Sequence, residues 1–208
     1  SDETVRRFAR LKPAAPDFAV MWDNAYVIHE FDGDYVPFPD IISLCRKASS
    51  PDMVYEFAST SKITLPGSGI SCMACSEENQ AYLQKLIGVQ IISYNKFNQM
   101  RHVKFFDGKY ENVLAHMEKQ RVEMQPKFEV VLNTLNKEIR PLGIGEWTEP
   151  KGGYFVSFNA PCGTAKRVVE LCKEAGVVLT GAGAAFPYGK DPDDRNIRIA
   201  PSYPEVDE

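Results

Sequence analysis

The chain has 208 residues, 44% hydrophobic and 25% charged, with a formal net charge of −4, ordinary values for a globular protein able to bury a real core. No basic stripe interleaved with aromatics occurs, so nucleic acid and anionic membrane are not expected partners. The apolar stretches fall far short of the roughly 20 residues that span a bilayer, and the acidic start Ser1-Asp2-Glu3 lacks the apolar segment of a signal peptide.

The expected location is therefore the cytoplasm. Five cysteines, an odd number, suit a reducing compartment better than a disulfide framework. Cys72 and Cys75 have the spacing of half a zinc site, but neither the other cysteines nor the three isolated histidines offer a second pair of ligands, and no metal is expected.

In chain order, residues 2–11 have a helical pattern. Phe18 to Trp22 form the continuous apolar run expected of a strand buried on both faces, ending abruptly at Asp23. Residues 41–47 read as a helix, and Met53 to Ala58 as a second strand that ends in Ser59-Thr60-Ser61-Lys62. Strand, helix, strand implies a parallel α/β unit. After Pro66-Gly67-Ser68-Gly69, a third strand is expected from Ile70 to Cys75, and Ser76 can cap a helix over 77–87 that stops at Gly88.

From Tyr110 a long helical stretch reaches Ile139, with Pro126 as an expected kink. Beyond it the pattern predicts a hairpin (145–150 with 152–159), a helix over 164–175 closed by Gly176, and short strands at 177–179 and 196–200. The predicted organisation is residues 1–105 in an α/β sheet domain, and 106–208 as a connecting helix with a small α+β domain. The first helix has no strand leading into it and Pro204 onward reads as the start of another helix, so both ends look cut.

Asp23 would end a buried parallel strand, where ligands bind in open α/β sheets. By itself it is as readily a turn or cap residue. Tyr26 follows three residues later, and the next strand runs into Lys62. A carboxylate, a nearby phenol and a strand-end lysine are what a pyridoxal site requires. The carboxylate keeps the pyridine nitrogen protonated, the phenol hydrogen-bonds the ring's 3'-oxygen, and the lysine forms the Schiff base. Ser59 could meet a phosphate oxygen, and Gly67 and Gly69 let backbone amides approach an anion.

The motifs Asp23-Asn24-Ala25-Tyr26, Ser59-Thr60-Ser61-Lys62, Gly152-Gly153-Tyr154-Phe155 and Asn196-Ile197-Arg198-Ile199-Ala200, in this order along the whole chain, resemble fold-type-I aminotransferases, in particular the MocR-like aspartate aminotransferase branch. The resemblance implies the carboxy-terminal part of the mainly parallel sheet of a large pyridoxal-phosphate domain, followed by a small carboxy-terminal α+β domain. It implies pyridoxal 5'-phosphate as cofactor, with Asp23, Tyr26, Ser59, Ser61 and Lys62 as the binding set, and Asp23, Tyr26 and Lys62 as the catalytic set. Lys62 would also be the base that moves the substrate proton.

Arg198 would grip the substrate α-carboxylate, and the chain would form homodimers. Upstream elements of the family's site would lie outside this sequence. One departure stands out: eight residues beyond the lysine, where the wider family has a phosphate-binding arginine, this chain has Ile70, or Gly69 with a one-residue gap. The phosphate must then rely on hydroxyls, backbone amides and residues beyond this sequence.

The function implied is transfer of an amino group between an amino acid, aspartate first, and a 2-oxo acid. The alternatives are an effector-sensing domain of a transcription regulator and a lyase on the same scaffold. Product analysis separates the lyase, and an amino-terminal winged-helix domain would mark the sensor.

Overall fold

The computed structural model describes residues 1–31 and 37–206. The chain divides into two compact units, Ser1–Ile28 with Tyr35–Met117, and His29–Asp34 with Glu118–Glu208. Among the described residues no helix is long and apolar enough to cross a membrane.

The first unit opens with α1 (Asp2–Ala9), followed by β1 (Val20–Asp23), α2 (Ile41–Lys47), β2 (Val54–Ser59) and β3 (Ser71–Ala74). Several helix starts carry a side-chain acceptor for a backbone N–H that the helix leaves unpaired. Asp40 accepts from Ser43 N at 2.9 Å and Ser43 Oγ at 2.6 Å. Ser76 accepts from Asn79 N at 3.2 Å and anchors its own hydroxyl on Asp52.

The sheet order is β1-β2-β3, with β1 parallel to β2 and β3 antiparallel to it. Parallel pairing requires a crossover, which α2 supplies. The short link from β2 to β3 lets the chain reverse instead.

One face of this sheet is packed. Val5 and Ala9 of α1 are four residues apart on one helix face, and with Ile41, Cys45, Met53 and Val54 they form a buried cluster against which Val20 and Trp22 pack. Burying a side chain such as Ile41 contributes about 1.5–3 kcal/mol. The expectation that Phe18 to Trp22 is buried on both faces does not hold. Only Val20–Asp23 is strand, its exposure alternates residue by residue, and Met21 is 66% exposed. A continuous apolar run is not a reliable sign of two covered faces, because the period-2 pleat acts even where both parities are apolar.

Three further helices complete this part of the chain: α3 (Glu77–Gln90), α4 (Lys96–Phe105) and α5 (Tyr110–Thr134). Gly88 does not end α3, which continues to Gln90; glycine weakens a helix without having to stop it. Helix α4 was not expected, although Asn95 caps it by accepting from Asn98 N at 3.1 Å. Helix α5 runs through Pro126 and passes into a π-helical turn over Leu135–Ile139. Its first half joins a cluster of Ile63, Phe106 and Met117.

In the second unit, Phe128 of α5 packs with Phe31 and Val156. The antiparallel sheet β4-β5-β6 is built from Glu146–Trp147, Val156–Asn159 and Asn196–Ile199. With α6 (Ala165–Glu174) it encloses Phe158, Ala160, Ala165 and Ile197. The expected hairpin and closing helix are present, and Gly176 follows the helix at φ +93°, a region open to glycine at little cost. The short strand expected at 177–179 is absent: these residues join no sheet, Val177 N donates back to Cys172 O at 2.8 Å, and Val178 is 81% exposed. Residues 201–206 form turns rather than a helix, and the last two residues lie outside those described.

Candidate active site

Strand parity decides where the first candidate points. Trp22 and Val54 face the packed side, so Asp23, Phe57 and Ser59 share the opposite side. The parallel register places Asp23 against Phe57, and Asn24 N extends the pairing by donating to Phe57 O at 2.8 Å. Asn24 Nδ2 donates to Glu56 Oε1 at 2.9 Å. Asp23 is exposed, and among the described residues no hydrogen bond or ion pair reaches its carboxylate. A cleft of about 900 Å³ opens on this side, lined by Asp23, Phe57, Ser59, Met73 and the α3 residues Leu83 and Ile87 among others. Tyr26, in the turn after β1, and Lys62 are not among its lining residues.

The segment after β2 is fastened by several hydrogen bonds. Thr60 N donates to Ile70 O at 2.9 Å and Ile70 N to Thr60 Oγ1 at 3.0 Å, which closes the neck of the connection to β3. Within it, Ile63 N and Thr64 N both donate to Thr60 O, at 3.0 and 2.9 Å. Lys62 therefore sits inside one tight turn, and it is exposed. Ser59 Oγ donates to Ser61 Oγ at 3.2 Å, and Ser61 N to Ser59 Oγ at 3.4 Å, so these two candidate phosphate ligands lie side by side.

Gly69 is needed here for space: a Cβ would stand 2.9 Å from Thr60 Oγ1 and 3.3 Å from Ser61 N. The other glycine, Gly67, has φ +76°. Ile70, which occupies the position of the missing arginine, takes part in closing the neck through its backbone.

Two histidines that sequence spacing left unassigned touch this turn. His102 Nε2 of α4 lies 2.9 Å from Thr60 Oγ1 and 2.8 Å from Thr64 Oγ1, and its Nδ1 lies 2.7 Å from Asn98 O. His116 Nε2 of α5 lies 2.7 Å from Ile63 O. Their distance along the sequence, about 40 and 50 residues, left no local signal to find.

In the second unit, Arg198 pairs with Ser157 across β5 and β6 and places its guanidinium carbon 4.4 Å from the centre of the Phe155 ring, a cation–π distance. Its Nε is buried and has no hydrogen-bond partner among the described residues. The start of β6 is held firmly. Asp191 Oδ2 accepts from Arg195 N and Asn196 N, both at 2.7 Å, and Asn196 Nδ2 donates to Ser157 Oγ and Asn159 Oδ1, both at 2.9 Å. The bonds from Asn196 and Arg195 hold the Asp191 carboxyl below the usual carboxylate range. Gly152 runs so close to His29 that a Cβ would meet the His29 carbonyl oxygen at 2.3 Å, which explains a glycine ahead of the Tyr154-Phe155 pair.

The fold is that of the aminotransferases, as likeness to solved structures shows. The crystal structure of an aspartate transaminase from Corynebacterium glutamicum matches the whole chain at 42% identity and TM-score 0.94, covering 49% of that structure. A kynurenine aminotransferase from Pyrococcus horikoshii, crystallised in complex with PMP, shares the fold at 24% identity and TM-score 0.73 over 99% of the chain and 47% of that structure.

The family model for aspartate amino-transferase matches residues 1–208, and the chain belongs to that family. A curated aspartate aminotransferase of Corynebacterium glutamicum is 42% identical over 208 residues, which is 100% of this chain and 48% of that protein. The chain thus spans about half the length of the curated relatives it matches.

Proposed function

We propose that the chain forms part of a pyridoxal-5'-phosphate-dependent aminotransferase of the MocR-like branch, cytoplasmic and homodimeric, that moves an amino group between aspartate and a 2-oxo acid. The observation that carries this reading is the exposed carboxylate of Asp23 on the same sheet face as Ser59, with the Lys62 turn following directly. The donor set fits the cofactor's chemistry: a carboxylate for a protonated ring nitrogen, paired hydroxyls for a phosphate and an amine for an aldehyde. Bound pyridoxal 5'-phosphate supplies an aldehyde that condenses with amines and a pyridinium ring that withdraws electrons.

The residues then divide the tasks. Asp23 holds the proton on the ring nitrogen. Tyr26 donates to the ring's 3'-oxygen, and Ser59 and Ser61 donate to the phosphate in the absence of an arginine at position 70. Lys62 anchors the cofactor through its amine and, once the substrate amine displaces it, takes the proton from the substrate α-carbon. Arg198 binds the α-carboxylate, and the unpartnered Nε with the guanidinium stacked on Phe155 supports that role, since a planar fork held on a ring is ready for a bidentate anion.

The deciding experiment loads the full chain with the cofactor, reduces it with borohydride and maps the labelled peptide. The label is expected on Lys62, and Lys62→Ala should lose both the label and the visible absorbance of the bound cofactor. A label on another lysine rejects the reading. Conversion of aspartate to its 2-oxo acid with equimolar amination of an added 2-oxo acid, and no release of ammonia or carbon dioxide, separates transfer from lyase chemistry.

A further inference from the structure

We propose that His102 is a positioning residue for Lys62, acting through the hydroxyls of Thr60 and Thr64; the inference rests on the reading of Lys62 as the cofactor's anchor. The two threonines flank the lysine in the turn, and one imidazole nitrogen touches both, at 2.9 and 2.8 Å. Each hydroxyl is also bound to the backbone of the turn: Thr64 Oγ1 donates to Thr60 O at 3.1 Å, and Thr60 Oγ1 accepts from Ile70 N at 3.0 Å.

The imidazole therefore ties the start, the end and the neck of the turn to α4. On the opposite ring edge, Nδ1 faces the Asn98 carbonyl at 2.7 Å. A carbonyl only accepts, so Nδ1 carries a proton, and Nε2 is left between the Thr60 hydroxyl, which can give it a proton, and the Thr64 hydroxyl, whose own proton goes to Thr60 O. This fixes the ring's orientation within its own helix before it meets the turn.

A brace of this kind bears on chemistry because Lys62 is exposed on a long, flexible stem, whose reach is set by the backbone that carries it. His116 adds a second tie at Ile63 O, 2.7 Å away, so three of the five residues of the turn, Thr60, Ile63 and Thr64, are held by imidazoles. A misplacement of about 1 Å in a reacting group can cost about a hundredfold in rate, whereas a purely structural loss would lower stability and leave the rate of a folded molecule unchanged.

The test uses the full chain, freed of cofactor and then mixed with pyridoxal 5'-phosphate. Three quantities are read: the affinity for the cofactor, the rate at which borohydride-reducible label accumulates on Lys62, and the thermal midpoint. His102→Ala should slow labelling by about tenfold or more while affinity changes far less. Thr64→Val, which keeps the shape and removes the hydroxyl, should slow labelling in the same way, and Thr64→Ser should reverse that loss.

The double variant should be little slower than either single one, because the two residues act through one contact. Unchanged labelling rates in folded His102→Ala or Thr64→Val, or effects that multiply in the double variant, would overturn the proposal. If His102→Ala does not fold, the valine and serine pair decides. Wild-type label on a different lysine overturns the reading of Lys62 itself, a result distinct from normal labelling of Lys62 in the variants.

Discussion

Asp23 and Phe57 stand opposite each other where β1 and β2 pair in parallel, and the next backbone bond, Asn24 N to Phe57 O at 2.8 Å, locks that register. The carboxylate is thus held by backbone pairing rather than by side-chain partners, and changing it should not disturb the strand.

Asp23→Asn is accordingly expected to leave the thermal midpoint of the protein unchanged while turnover of the cofactor-loaded enzyme falls by about a hundredfold or more, the scale of a positioned proton-holding group. An amide is neutral and cannot keep the ring nitrogen protonated. Stopped-flow measurement of the half-reaction with aspartate checks this, and near-normal turnover would remove Asp23 from the site.

For Arg198 the informative change is to lysine. A hydrogen bond to a charged group contributes about 1.5–3 kcal/mol, and an ammonium cannot reproduce the planar fork or its stacking on Phe155. Arg198→Lys should lower kcat/KM for amino-acid substrates by about a hundredfold, with kcat falling as well as KM rising, since the carboxylate grip also aligns the substrate. Cofactor affinity should be spared. Steady-state kinetics with a cofactor titration would reveal a surface role instead if kcat/KM barely moved.

Asp40 tests the fold rather than the site. The Ser43 hydroxyl and then the Ser43 N–H, both donating to its carboxylate, hold that carboxyl below its usual range. A depressed folded value stabilises the protein fully above the unfolded value of about 3.9, and that contribution is lost as pH falls through the lower folded value. Asp40→Ala should therefore cost about 1 kcal/mol near neutral pH, as the loss of a helix cap does. The gap between variant and wild type should narrow as the pH falls below about 3.9. Thermal melts of both proteins across that range read it directly.

Helix α2 and the approximate spans of β2, β5, α6 and β6 are legible in the sequence because each has a cap, a breaker or a clear apolar period. Gly176 and Ser76 mark their helix ends as the residues suggest. The failures have physical causes. Phe18 to Trp22 is apolar at both parities, so its pattern could not reveal that Met21 faces outward. Val177 to Leu179 has the composition of a strand, but strand formation depends on a neighbour to pair with, which composition cannot supply. Helix α4 has only a weak apolar period, and the Asn95 cap was its one local mark.

Around the candidate site, the shared face of Asp23 and Ser59 follows from alternation once the strands are placed. The imidazole ties on the Lys62 turn join residues about 40 and 50 positions apart and exist only after α4 and α5 have packed.

The alternation in β1 has an evolutionary corollary. Inserting one residue between Met21 and Trp22 would invert the facing of the residues beyond it, turning a carboxylate toward the apolar cluster and a tryptophan toward solvent. Both changes are costly to folding on their own. A lineage that drifted at this point would lose the folded chain before it could keep an inactive one. The demand for a stable fold therefore constrains the direction of Asp23 independently of its chemistry.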